Sequence, residues 1–230
     1  METLRLRFPQ GEERVFRHRG SPADHGVVDQ MFKNRDYSLG RLQRGRELEA
    51  RYRSMAKPFI LDAGANIGAS VCWFASAYPR SHIAAFEPET ANFELLRGNT
   101  QGLNVALYNA ALGAHDAKAR IIDPGEGEWG YRTLCDPDGD VAMISVSRIV
   151  AENIAAGFTP FMAKIDIEGG ESELFAPPTD WVDQFPILIV ELHDWLLPGQ
   201  GTSRSFLKCV AGLNRDFVHI GENVFSIRNS

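Results

Sequence analysis

The chain has 230 residues, a net charge of −6, 44% hydrophobic and 23% charged residues, which is enough for one α/β domain with a sizeable core and leaves no basic excess for nucleic acid. No apolar run reaches membrane-spanning length, and Met1-Glu2-Thr3-Leu4-Arg5 lacks the apolar stretch of a signal peptide. A cytoplasmic protein without membrane partners is therefore expected, with Cys72, Cys135 and Cys209, odd in number and widely spaced, as free thiols.

Residues Thr3 to Phe8 alternate in polarity, and with Val15 and Phe16 beyond the Gln10-Gly11-Glu12 turn they predict a hairpin outside the main sheet. Asp24 is placed to cap a helix carrying Val27, Val28, Met31 and Phe32, and a second helix is predicted from Leu39 to Met55. Its Arg41, Arg44, Arg46, Arg51 and Arg53, interspersed with Glu47 and Glu49, have the pattern of a solvated face. These elements form an N-terminal extension over residues 1–56, ahead of a main domain at 57–230.

From Pro58 onward strands and helices alternate, which predicts a mostly parallel sheet with helices on both faces. Phe59-Ile60-Leu61 suit a buried strand ended by Asp62, and Gly64 and Gly68 permit a tight turn whose free N–H groups would face a ligand carboxylate. A dinucleotide fingerprint or a phosphate loop would need further glycines or a following lysine. An acid-led turn suits instead a ligand with an ammonium group and no phosphate, and S-adenosylmethionine has that character.

The strand His82 to Phe86 delivers Glu87 to the carboxyl edge of the sheet, where ligands of open α/β folds sit and where an acid can take both ribose hydroxyls. Glu87 with Pro88 also suits a helix first turn, a compatible structural role. After a third strand, Asn104 to Asn109, the small residues Ala110-Ala111-Leu112-Gly113 leave room for a flat adenine ring. Added strands are predicted at Ala119 to Asp123 and Val141 to Val146. The glycine-rich stretch 124–133 between them, with Trp129 and Tyr131, suits a substrate lid or a plain surface loop.

Lys164, Asp166 and Glu168 stand two apart, and three charges in a central strand demand partners, so they are expected at its end beside the ligand. Lys164 would neutralise a ligand carboxylate or pair with Asp166 or Glu191. The apolar run Pro186 to Val190 then brings Glu191, His193, Asp194 and Trp195 to the same edge, making His193 a candidate base. A helix from Ser203 to Leu213 and a hairpin of Asp216 to Ile220 with Asn223 to Ile227 close the chain.

With these stretches in place the chain resembles the FkbM family of S-adenosylmethionine-dependent methyltransferases over about Val27 to Ile227. The resemblance is carried in order by Asp62-Ala63-Gly64-Ala65-Asn66-Ile67-Gly68, by Phe86-Glu87-Pro88 with Asn92 and Asn99, by Asn109-Ala110-Ala111-Leu112-Gly113, and by Lys164-Ile165-Asp166-Ile167-Glu168-Gly169-Gly170-Glu171. It implies a Rossmann-like class I methyltransferase fold with seven strands in the order 3-2-1-4-5-7-6. It also implies that Asp62, Gly64, Asn66 and Gly68 hold the methionine end of the cofactor, Glu87 the ribose, and Asn109 and Ala110 the adenine, with Asp166 beside the sulfonium. Most members methylate hydroxyl oxygens of sugars, polyketides and other secondary metabolites, but Trp129-Gly130-Tyr131 departs from the usual serine- and glycine-rich lid.

The expected activity is O-methylation of a small-molecule hydroxyl, with His193, Asp166, Lys164 and Glu191 as catalytic candidates. Two rivals are a non-catalytic S-adenosylmethionine-binding module and, with the third glycine missing, a nicotinamide-dependent oxidoreductase. Metal assistance through Asp166 with Glu191 or His193 is a further alternative. The metal-free reading is preferred, because Lys164 nearby would repel a cation.

Overall fold

The computed structural model describes residues 1–123, 125 and 130–229. Strands β1 (Glu2–Arg7) and β2 (Glu13–His18) pair antiparallel as a sheet of their own. Helix α1 (Pro22–Val28) is capped by Ser21, not by Asp24 as expected from the sequence. Pro22 sets the helical φ at the first position and has no N–H to satisfy, so the residue before it becomes the cap. Asp24 lies buried in the first turn and pairs with Arg19 at 2.5 Å. The second predicted helix is split into a 3-10 turn at Leu39–Arg41 and α2 (Gly45–Ser54), with Leu42 extended between them. Arg44 there pairs with Glu47 and, across the fold, with Asp216.

Strands and helices then alternate as β3 (Pro58–Ala63), α3 (Ala69–Ala77), β4 (His82–Phe86), α4 (Thr90–Asn99) and β5 (Val105–Tyr108). A four-stranded sheet follows, built from β6 (Ala111–Gly113), β7 (Ala117–Ile122), β8 (Arg132–Cys135) and β9 (Val141–Ser145) in the order β6-β9-β7-β8. Next come α5 (Val146–Ala155), β10 (Thr159–Ile165), α6 (Glu171–Leu174), β11 (Ile187–Glu191), α7 (Arg204–Ala211) and the hairpin β12 (Arg215–Ile220) with β13 (Asn223–Arg228). The main sheet has seven strands in the order β5-β4-β3-β10-β11-β13-β12, with β13 antiparallel to both its neighbours and the other pairings parallel.

Alternation along β3 divides the core, as period-two geometry requires. Ile60 joins one cluster with Trp73, Phe74 and Phe161, and Phe59 and Leu61 join the other with Ile149, Leu188 and Phe206. Phe8, Phe16, Met31 and Tyr37 belong to the first cluster, so the N-terminal extension closes that face of the sheet. One expectation fails here: Asp62 does not end its strand, since β3 continues to Ala63 and Asp62 stands in register with Lys164 on β10. The opposed charge directly across makes a carboxylate tolerable inside a fully buried strand.

The three cysteines are free. Among the described residues no helix is long and apolar enough to cross a membrane. Of the predicted lid, Pro124, Glu126, Gly127, Glu128 and Trp129 lie outside the described residues, and the stretch after it enters β8.

Candidate active site

The carboxyl ends of β3, β4, β10 and β11 converge on one cavity of about 230 Å³. Of the residues singled out in the sequence, Gly64, Asn66, Glu87, Lys164, Asp166 and Glu191 line it. Asp62, Gly68, Asn109, Ala110 and His193 do not line it, and each has an identifiable task in the wall.

Gly64 sits at φ +78°, and a Cβ there would lie 1.7 Å from the carbonyl oxygen of Asp166. The chain after β3 thus runs hard against the chain after β10, a contact that only glycine permits. The expected free N–H groups of this turn are occupied. Gly64 and Ala65 donate to the Phe86 carbonyl at 3.0 and 2.9 Å, Asn66 to Glu87 Oε2 at 2.8 Å, Ile67 to Asn66 Oδ1 at 2.7 Å, and Gly68 to the Ala65 carbonyl at 2.9 Å. The turn therefore shapes the wall and fixes Glu87, while Gly68, at φ +93°, packs against Leu96 of α4.

Glu87 is buried yet faces the cavity, and its two oxygens accept from the N–H groups of Asn66 and Glu89. Burial pushes its carboxyl up to about 7, against the downward pull of those backbone hydrogen bonds. Asn92 also hydrogen-bonds this carboxylate through its side chain, which still leaves it acceptor capacity for a ribose hydroxyl. Asn109 braces this corner by donating to the carbonyls of Glu87 and Pro88 at 3.0 and 3.2 Å. The wall beyond is formed by Ala111, Leu112 and Gly113, within the small-residue stretch expected to leave room for adenine, with Ala110 buried in the core beneath.

Lys164 is fully committed to the protein. Its ammonium lies 3.4 Å from Asp62 Oδ1 and 3.3 Å from Asp166 Oδ2, and donates to the carbonyls of Ala63 and Gly64 at 3.2 and 2.5 Å. Burial works against its charge, but Asp166 and Asp62 outweigh burial and hold it protonated. It neutralises Asp62 inside β3 and Asp166 just past β10, and ties β10 to the glycine turn.

His193 has no exposed surface and lies behind the cavity wall. Its Nδ1 is 2.8 Å from Glu171 Oε1, while Nε2 faces Glu168, Asp166 and Glu191 at 3.4, 3.6 and 3.7 Å. Burial opposes the imidazolium, but the Glu171 hydrogen bond and the surrounding carboxylates push the imidazole up to about 9. Glu168 and Glu191 are each pushed up to about 8, by burial first and by Asp166 second. An imidazole held protonated at neutral pH behind three acids is not poised to meet an acceptor hydroxyl, the task expected of it from the sequence. The carboxylates of Asp166, Glu168 and Glu191 themselves line the cavity.

Two contributors escaped the sequence reading. Tyr37, buried and stacked on Phe74, reaches the cavity from the N-terminal extension with Gln30 and Met31. No local pattern marks them, because their approach depends on how the extension folds over the sheet. Glu171 was visible as the end of the Gly169-Gly170-Glu171 run, and its role needed only a histidine to bind.

A cavity at the carboxyl edge of an α/β sheet, with an acid at the end of the second sheet strand, is where open α/β folds take their ligands, and no nucleotide-phosphate motif accompanies it. Residues 62–220 match the family described as the methyltransferase FkbM domain, and the chain belongs to that family. It is thus a methyltransferase by family, with S-adenosylmethionine as the methyl donor. A 66-residue segment is 40% identical to Methyltransferase 1 of Beauveria bassiana (strain ARSEF 2860), over 27% of this chain and 26% of that protein. The match thus spans about a quarter of that relative's length.

Among solved structures, a methyltransferase from Geobacter sulfurreducens aligns at 17% identity and TM-score 0.39 over 93% of each chain. The plantazolicin methyltransferase BpumL, solved with SAH, aligns at 6% and 0.37 over 86% of this chain and 74% of that one. Neither likeness bears on what this chain acts on.

Proposed function

We propose that the protein transfers the methyl group of S-adenosylmethionine to a hydroxyl oxygen of a small molecule. The observation that carries this is the polarity of the cavity: one wall ends in Glu87, while Asp166, Glu168 and Glu191 are gathered on another. Glu87 is assigned to the ribose diol, and the apolar wall of Phe86, Ala111, Leu112 and Met143 to the adenine side. The acids at β10 and β11 face the methyl and the acceptor. In the transfer the sulfonium C–S bond breaks with its electron pair kept by sulfur, a C–O bond forms, and the acceptor proton leaves toward the acidic wall. The donor is already activated, so in-line placement of the oxygen is the larger contribution, worth on the order of 7–11 kcal/mol when the geometry is near-attack. A wall of carboxylates close to an imidazole supports a catalytic role over a purely binding one.

Calorimetry with S-adenosylhomocysteine is expected to give a dissociation constant in the micromolar range, roughly −8 kcal/mol, with no heat from NADH. Binding of NADH without any response to S-adenosylhomocysteine would overturn the proposal. Glu87→Ala is expected to weaken that binding by about 1.5–3 kcal/mol with the thermal unfolding transition retained, the range for hydrogen bonds to a charged acceptor. A variant that binds as the parent does removes Glu87 from the site.

The same residue predicts a pH dependence. With Glu87 at about 7, the carboxylate that accepts from the ribose is depleted as pH falls. If only the ionised form binds well, affinity drops roughly tenfold between pH 8 and pH 6, and Glu87→Ala flattens the profile. In the free protein the sign is reversed, since a carboxyl raised on folding stabilises below its unfolded value and loses that contribution as pH rises through about 7. A flat affinity profile in the parent protein contradicts the assignment.

A further inference from the structure

The acidic wall and the histidine behind it form a more specific arrangement than a proton acceptor needs. Glu171 has no exposed surface, and its Oε1 accepts the Gly169 N–H at 3.3 Å and lies 2.8 Å from His193 Nδ1. Glu171 accepts from Nδ1–H and fixes the ring, so that a cation displacing the proton of Nε2 finds that nitrogen's lone pair turned toward it, the arrangement that orients metal-binding histidines. Nε2 is buried and has no hydrogen-bond partner among the described residues. It points at Glu168 Oε2, Asp166 Oδ1 and Glu191 Oε1, at 3.4, 3.6 and 3.7 Å.

These separations are longer than charge-assisted hydrogen bonds, which fall at about 2.7–2.9 Å. They are close to the distance between two ligands of one ion, which is roughly 3.0–3.4 Å when each bond is about 2.1 Å. A proton on Nε2 serves one of the three oxygens, whereas a cation among them serves all. Ligand atoms of Asp166, Glu191 and His193 lie within 4.8 Å of one another. The ammonium of Lys164, the reason for expecting no metal from the sequence, sits on Asp166 Oδ2, the other oxygen, and is also paired with Asp62. Oδ1 is left for the cluster.

We propose that Asp166, Glu191 and His193, with Glu168 beside them, bind one divalent cation of the Mg²⁺ or Mn²⁺ class on the cavity wall. Two or three carboxylates with a single imidazole are a donor set for hard to borderline ions. Because Asp166, Glu168 and Glu191 line the cavity, the cation faces the acceptor. There it takes the hydroxyl oxygen, lowers the pKa of that O–H and orients it toward the methyl, the proton leaving toward Glu168 on the acidic wall. The functional part of this inference rests on the O-methyl transfer reading; the binding site does not.

The test uses the full chain stripped with EDTA and desalted, titrated with MnCl₂ by electron paramagnetic resonance of the free ion and with MgCl₂ by calorimetry, without cofactor or acceptor. One equivalent of Mn²⁺ per chain is expected to bind. Glu191→Gln and His193→Gln should each weaken binding at least tenfold, while Glu94→Gln, an exposed acid paired with Arg97, leaves it unchanged. Should His193→Gln fail to fold by circular dichroism, the parent titration and Glu191→Gln decide. No stoichiometric binding by the parent protein, or equal binding by the Glu191 and His193 variants, overturns the site. Calorimetry with S-adenosylhomocysteine on the same samples separates the two readings: cofactor binding without Mn²⁺ binding sinks the cation site alone, and Mn²⁺ binding without cofactor binding supports the site and sinks the methyl-transfer role.

Discussion

Gly64→Ala is expected to lower the unfolding free energy by about 2–5 kcal/mol, measured by urea denaturation. Two effects add. A non-glycine residue in the left-handed region costs about 1–2 kcal/mol, and Gly64 has φ +78°. Overpacking costs typically about 1–3 kcal/mol, and here the added carbon would meet the Asp166 carbonyl oxygen at 1.7 Å. The obstacle is backbone, held in place by the Asp166 N–H donating to the Ala63 carbonyl, so no side-chain rotation relieves it. Gly199→Ala isolates the first effect, since Gly199 has φ +84° and nothing within 4 Å of a Cβ. Equal losses in the two variants would show that the close approach of the β3 and β10 ends does not exist.

How far the sequence carried the molecule follows from which interactions are local. Phe59 to Leu61, His82 to Phe86 and Pro186 to Val190 announced the parallel strands, because strands covered on both faces must be apolar without interruption. The positions of Glu87, Asp166 and Glu191 at one edge followed from strand polarity alone. Hydrogen-bond bookkeeping did not: that the Gly64, Ala65 and Asn66 N–H groups are taken depends on β4 and its end lying alongside β3, which no local pattern encodes. Asp62 reads as a strand end because a carboxylate inside a buried strand is costly in isolation, and that cost is offset in part by Lys164, 102 positions later and directly opposite in register. His193 likewise reads as a candidate base at a strand end, and only the fold closes Glu171 and three other acids around it. Tyr37 was invisible for a different reason, since it comes from an extension whose fold over the sheet is a tertiary matter.

Lys164→Met should prove the most damaging single change of a charged residue, at about 3–5 kcal/mol, because it leaves the buried carboxylate of Asp62 without its counter-charge. Methionine keeps much of the volume, so the loss reports the charge and not a cavity. Asp166, a quarter exposed and facing the cavity, can recover hydration; Asp62, with no exposed surface, cannot. The double variant Lys164→Met with Asp62→Asn is therefore expected to regain more than half of the lost stability, since it removes the orphaned charge. The linkage sign gives a second check. Burial already raises the Asp62 carboxyl above its ordinary value, and without Lys164 it rises further. A raised carboxyl stabilises the folded state below its unfolded value and loses that contribution as pH climbs through the folded value. The deficit of Lys164→Met relative to the parent is thus expected to be smallest near about pH 4 and to widen toward neutrality. Urea denaturation at several pH values measures it, and a deficit below about 1 kcal/mol that does not change with pH would mean that Asp62 and Lys164 do not depend on each other.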